Sequence, residues 1–268
     1  GILDAGDNKL SGNIPEWVGE KLTYLIVLRL HRNNFTGKIP ESLCKAVNLH
    51  ILDVAHNYLK GAIPSCLGEL IAMVNSNFGV IDDSPAYEME VDDYEEYVDQ
   101  VMKGVDLEYT KTWRMVYNMD LSSNQLVGEI PVELTALSNL VGLNLSNNHL
   151  SGGIPDIIGS MMKLESLDLS RNELTGGIPP SMAALTFLSR LNLSHNNLSG
   201  RIPTGRQLQT LIDPSIYEGN KDLCGSPLPK NCSNPREDPT TTSKKKQEAV
   251  DEKTKLWLFY VDIICGFA

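Results

Sequence analysis

Of 268 residues, 41% are hydrophobic and 21% charged, a globular balance that excludes a collagen-like, mucin-like or wholly disordered chain. The formal net charge of −11 leaves no basic stripe to face phosphates, so nucleic acid is a poor partner. The acidic surplus is local: Asp82, Asp83, Glu88, Glu90, Asp92, Asp93, Glu95, Glu96 and Asp99 fall between residues 71 and 102, where Lys and Arg are absent.

An internal repeat organises the rest. Asn8, Asn33, Asn57, Asn124, Asn148, Asn172 and Asn196 are spaced 25, 24, 67, 24, 24 and 24 residues apart. Before Asn148, apolar residues stand 11, 8, 5 and 3 places back, at Leu137, Leu140, Leu143 and Leu145. Met161, Leu164, Leu167 and Leu169 hold the same places before Asn172, and Leu185, Leu188, Leu191 and Leu193 before Asn196. The Leu-x-Leu alternation predicts a short strand with one buried face. Each Asn side chain can satisfy backbone groups where the chain leaves that strand and turns. A glycine four places after the Asn permits geometry other residues resist, and a proline seven places after it stiffens the outer side. One coil cannot bury its own apolar edge, so the coils must stack into a curved solenoid with a continuous core.

The frame L-x-x-L-x-x-L-x-L-x-x-N-x-L-x-G-x-I-P resembles the plant-specific class of leucine-rich repeat, over residues 1–73 and 113–203. The resemblance implies an α/β horseshoe-like, right-handed leucine-rich-repeat solenoid with short parallel strands.

In chain order, residues 1–73 read as repeats already under way, because Leu3 and Ala5 occupy strand positions with no signal peptide or cap before them. The chain is therefore expected to be part of a longer protein. Cys44 and Cys66 lie 22 residues apart on the outer sides of neighbouring coils, as one disulfide or as two separate buried thiols. Leu70 and Met73 start another coil, but Ser76 stands where an apolar residue is due, and the frame resumes at Trp113, Val116, Met119 and Leu121. The interval of 67 exceeds one 24-residue period by 43, so an insertion is expected, with an island over 74–112. It carries the acidic run and Tyr87, Tyr94, Tyr97 and Tyr109, with Tyr117 just past the restart. Tyrosine at this density suits a recognition surface, and Val105–Tyr109 alternates like a strand. The carboxylates match no calcium-loop spacing, so no metal is expected.

Tyr94, eight residues, then Lys103-Gly104 resembles the Tyr-x8-Lys-Gly motif of plant leucine-rich-repeat receptor-like proteins. Many of these are cell-surface immune receptors that lack a kinase and signal with kinase partners. On that resemblance Tyr94, Tyr97, Lys103, Gly104 and Tyr109 are candidates for binding ligand or co-receptor, and the four repeats of 113–203 are expected to meet the co-receptor.

Past Pro203 the frame fails. Residues 204–232, with Gly219–Leu228 leading to Cys232, resemble the paired-cysteine cap of such solenoids, which implies a Cys224–Cys232 disulfide. Glycosylation sequons fall at Asn34, Asn144, Asn192, Asn197 and Asn231, although Asn-Leu-Ser also arises from the repeat itself. Glycans on Asn144 and Asn192 would cover part of the inner surface. Residues 233–255 read as a polar juxtamembrane linker. The apolar stretch 256–268 spans ~20 Å as helix, short of a ~30 Å hydrocarbon core. The family resemblance makes it the start of a truncated transmembrane helix, with Trp257 and Tyr260 suited to the interface and Asp262 costly there.

His31, His50, His56, His149 and His195 occupy repeat or loop positions without a ligand cluster or nucleophile elbow, and no kinase loop is present. No enzyme activity and no cofactor are expected. The reading is the membrane-proximal ectodomain of a plasma-membrane receptor-like protein in pathogen perception. Its expected partners are an extracellular peptide, protein or glycan ligand, a leucine-rich-repeat co-receptor kinase and, through the membrane segment, an adaptor receptor kinase. Two alternatives stay open: the ectodomain of a receptor kinase perceiving a hormone or peptide, and a secreted polygalacturonase-inhibitor-like protein.

Overall fold

Each Leu-x-Leu unit supplies one rung of a parallel sheet. The structure, a computed structural model, describes residues 1–74, the strands 98–102 and 105–109, and residues 116–232. Seven short strands, Ile2–Asp4, Val27–Arg29, Ile51–Asp53, Asn118–Asp120, Gly142–Asn144, Ser166–Asp168 and Arg190–Asn192, line up in chain order as a parallel sheet. They belong to coils 1 to 7. Register is strict: Leu3, Leu28, Leu52, Met119, Leu143, Leu167 and Leu191 are successive partners, so one column of side chains enters the core. Apart from Leu3 at the open edge, that column is buried.

The strands are short because the frame ends them. The residue before each ladder Asn takes a positive φ, between 50° and 55° at Asp7, Arg32, His56, Ser123, Asn147, Arg171 and His195. That left-handed step breaks extended geometry and turns the chain toward the outer side. There, Pro40, Pro64, Pro131 and Pro179 hold φ between −72° and −59° and open 3-10 helices at Glu41–Lys45, Ser65–Glu69, Val132–Ala136 and Pro180–Ala184. The proline ring presets this φ and gives up an N–H that the helix start would leave unpaired.

The long interval between Asn57 and Asn124 does not open the solenoid. Strand Ile51–Asp53 pairs directly with Asn118–Asp120. Leu70 and Met73, both fully buried, fill the slots that Leu137 and Leu140 fill one coil later. Asn139 confirms the stacking: its N–H donates to Met73 O at 2.9 Å and its Nδ2 to Ala72 O at 3.1 Å. The first half of coil 4 therefore comes from before the insertion and its strand from after it. Val116 is buried beside this strand, while Trp113 lies outside the described residues. Within the insertion, Val98–Met102 pairs antiparallel with Val105–Tyr109, in register from Val98↔Tyr109 to Met102↔Val105.

After coil 7 the frame continues further than its leucines do. Asn220 follows Asn196 by 24 residues and carries the ladder role, with Gly219 at φ 81° in the left-handed place before it. Tyr217 closes the end of the core in the slot of a leucine, only 2% exposed. Strand Asp222–Cys224 pairs parallel with Asn197–Arg201. The described residues form one unit, Gly1–Cys232. Among them no helix is long and apolar enough to cross a membrane, and the expected linker and membrane segment at 233–268 lie outside them.

Candidate functional site

The ladder asparagines bind coil to coil. Asn124 Oδ1 accepts from Leu59 N at 3.0 Å, and its Nδ2 donates to Val54 O, Leu121 O and Ser122 O at 3.0, 3.2 and 3.1 Å. Asn33, Asn57, Asn148, Asn172 and Asn196 repeat this pattern, and so does Asn220. A spacing of 24 marked Asn220 in the sequence, but the missing leucines around it hid the match. Asn8 reaches only Ala5 O and Gly6 O, within its own coil.

Strand alternation sends the residues four and two places before each ladder Asn to the inner face. The first column is Asp4, Arg29, Asp53, Asp120, Asn144, Asp168 and Asn192, each the register partner of the next. Neighbouring strands are only ~4.8 Å apart, so these groups interact strongly. In coils 1 to 4 they form a charged cluster. Arg29 Nη1 stands 2.6 Å from Asp4 Oδ2, and Nε 4.0 Å from Asp53 Oδ2. His31, two places further on, lies 2.9 Å from Asp7 by Nε2 and 3.1 Å from Asp53 by Nδ1. Nδ1 and Arg29 Nε are buried without an aligned hydrogen bond. Contact with the Asp53 carboxylate, then with Asp7, raises the His31 pKa against the opposing effect of burial. His56 is lowered, chiefly by burial and by Arg32. Asp120 is pushed up to about 6, first by burial and then by the Asp53 charge beside it. The frame itself marks Arg29, His31, Asp53 and Asp120 for this face, although in the sequence only His31 drew notice, as a repeat position without a ligand cluster.

In coils 4 to 7 the same face is polar and closed on itself. Asn144 Nδ2 donates to Asp120 Oδ2 at 3.0 Å, and Asn192 Nδ2 to Asp168 Oδ2 at 3.3 Å. Ser146, Ser170 and Ser194 each donate a hydroxyl to the Oδ1 of the residue two places before, at 2.6 to 2.8 Å. The edge leading into the inner strands is different. Met162, Phe187 and Ile212, on the turns before coil 6, coil 7 and the cap, are 62%, 63% and 74% exposed.

Of the residues singled out for binding, Tyr94, Tyr97, Lys103 and Gly104 lie outside the described residues, and Tyr109 ends a strand opposite Val98. Cys44 and Cys66 form a disulfide between coils 2 and 3 with Cα atoms 5.7 Å apart, and Cys224 pairs with Cys232 at 5.1 Å. Asn34, Asn197 and Asn231 are exposed, whereas Asn144 and Asn192 are half-buried in the inner sheet.

Comparison with known proteins agrees with this architecture. Leucine-rich-repeat family models match residues 24–46, 48–70 and 138–198. Receptor-like protein EIX2 of Solanum lycopersicum is 47% identical over 99% of this chain and 26% of its own length. Receptor-like protein 50 of Arabidopsis thaliana is 41% identical over 99% of this chain and 33% of its own. The chain thus spans about a quarter to a third of these relatives. Among solved structures, the Arabidopsis receptor kinase HAESA, in complex with the peptide hormone IDA and the co-receptor SERK1, superposes with a TM-score of 0.57 at 28% identity, over 82% of this chain and 33% of that one. A TDR receptor gives 0.56 at 27% identity, over 75% and 27%. Repeat frame, register and sequence agree: the chain is a leucine-rich-repeat solenoid similar to part of the plant receptor-like proteins.

Proposed function

We propose that this region recognises an extracellular ligand at the cell surface and recruits a co-receptor kinase, acting by binding and not by catalysis. The ligand meets the island, through Tyr94, Tyr97, Lys103, Gly104 and Tyr109, and the charged inner face of coils 1 to 4. The co-receptor's ectodomain meets the last coils. The observation that carries this reading is that Met162, Phe187 and Ile212, three large apolar side chains on the turns before coil 6, coil 7 and the cap, are left in water. Covering each is worth roughly 1.5–3 kcal/mol, so a partner that covers them gains from all three. HAESA, similar in fold, binds a peptide hormone and a co-receptor. On this reading the protein works at the plasma membrane in pathogen perception, with an adaptor receptor kinase engaged through a membrane segment; its relatives are named receptor-like proteins.

The test is ligand-dependent association with the co-receptor, measured together with surface level in the full-length receptor. Tyr94→Ala or Lys103→Ala abolishes the ligand response, and Phe187→Asp weakens association at least tenfold, all at normal surface level. Unchanged association in all three variants refutes the reading.

A further inference from the structure

The five sequons occupy two different kinds of place. Asn34 and Asn197 each stand one residue past a ladder asparagine, where the chain leaves the inner strand. Both are exposed, as is Asn231 in the cap, and no side-chain hydrogen bond engages their amides among the described residues. Asn144 and Asn192 sit four residues before a ladder asparagine, in the inner sheet itself. Their amides are held at both ends. Asn144 Oδ1 accepts from Ser146 N at 3.1 Å and Ser146 Oγ at 2.7 Å, while Nδ2 donates to Asp120 at 3.0 Å. Asn192 Oδ1 accepts from Ser194 N at 3.2 Å and Oγ at 2.8 Å, while Nδ2 donates to Asp168 at 3.3 Å.

We propose that Asn34, Asn197 and Asn231 carry N-linked glycans, and that Asn144 and Asn192 remain unmodified as structural donors of the inner sheet. This rests on the extracellular reading above, since only a chain in the secretory route meets the modifying enzyme. An N-linked glycan replaces one hydrogen of Nδ2 and attaches a bulky ring there. In the inner sheet that ring has a strand at ~4.8 Å on both sides of Asn144 and on one side of Asn192, with an Asp carboxylate directly against each nitrogen. A sugar placed where that N–H points displaces the Asn–Asp bond and takes a donor from a carboxylate that is buried at Asp120 and half-buried at Asp168. On the outgoing edge a sugar displaces only water. The glycans then clothe that edge and the cap. They leave bare both the inner face and the opposite edge, where Met162, Phe187 and Ile212 lie.

The test is site-by-site glycopeptide mapping of the intact protein purified from plant tissue. Glycans on Asn34, Asn197 and Asn231 with bare Asn144 and Asn192 are the expected result. Asn34→Gln and Asn197→Gln each remove one glycan and leave the unfolding midpoint in place. Asn144→Gln and Asn192→Gln leave the glycan mass unchanged and lower the midpoint. A glycan on Asn144 or Asn192, or a bare Asn34 or Asn197 beside an occupied Asn231, overturns the assignment and leaves the extracellular reading standing. A protein bare at all five sites overturns both.

Discussion

A buried asparagine serves as a cross-coil rivet because its amide carries one acceptor and two donor hydrogens in a plane. Asn124 uses all of them, against Leu59, Val54, Leu121 and Ser122. Asn124→Ala leaves a buried N–H and several carbonyls unpaired and should cost about 2–3 kcal/mol in chemical denaturation. Asn8→Ala, at an exposed site with only same-coil bonds, should cost under about 1 kcal/mol. Equal losses would show that the ladder acts within coils and not between them. Asp120 gives the inner face a pH signature. Its pKa in the folded state, about 6, lies above its ordinary 3.8, so the folded chain binds the proton more tightly. The stability this contributes is fully present below pH ~4 and is lost as pH rises through ~6, roughly 3 kcal/mol in all. His31, also raised, acts in the same direction through its own range, and His56, lowered, acts against it. Asp120→Asn should therefore flatten the unfolding midpoint between pH 4 and 7 relative to the parent. An undiminished slope would place the titration elsewhere.

At the scale of one coil, the backbone sets the constraints. The left-handed place before each ladder Asn is held by a non-glycine residue in all seven coils, a strain of ~1 kcal/mol or more apiece. Arg171, at φ 54° and exposed, offers a clean comparison. Arg171→Gly should leave stability unchanged or raise it slightly, and Arg171→Val should lower it by about 1–2 kcal/mol, because a β-branched side chain fits that φ worst. Equal midpoints for the two variants would remove the strain argument. On the outer side, coils 3 and 4 touch at Gly68, where an added Cβ would stand 2.2 Å from Glu133 O. That closeness joins two coils whose contacting segments are 64 residues or more apart in sequence, and it explains why the insertion leaves the stacking intact.

For the whole molecule the ends matter most, since a stack of coils has no partner beyond its last one. The C-terminal end is finished by Tyr217, Asn220 and the Cys224–Cys232 bond. Cys224→Ser should cost roughly 2–3 kcal/mol by the loop-entropy account and loosen coil 7 before coil 5. Hydrogen exchange checks this: equal protection of both coils in the variant would mean that the disulfide is incidental to the cap. The exposure of Met162, Phe187 and Ile212 belongs to this scale too, because they come from three different turns.

The repeat period, the leucine columns, the strand positions and the ladder asparagines were legible in the sequence, because each is a local pattern copied many times. The island was legible as a break in that pattern. Three features were decided by stacking alone. Asn220 joins the ladder through contacts with Leu193 and Leu198 of the preceding coil, which no local run of leucines announces. Arg29, His31, Asp53 and Asp120 become one charged cluster only when three neighbouring coils bring them side by side. Met162, Phe187 and Ile212 look like ordinary core residues until the folded coils leave them in water. Frame positions tell which way a side chain points; its neighbours along the sheet come from other coils, and only the folded stack brings them within reach.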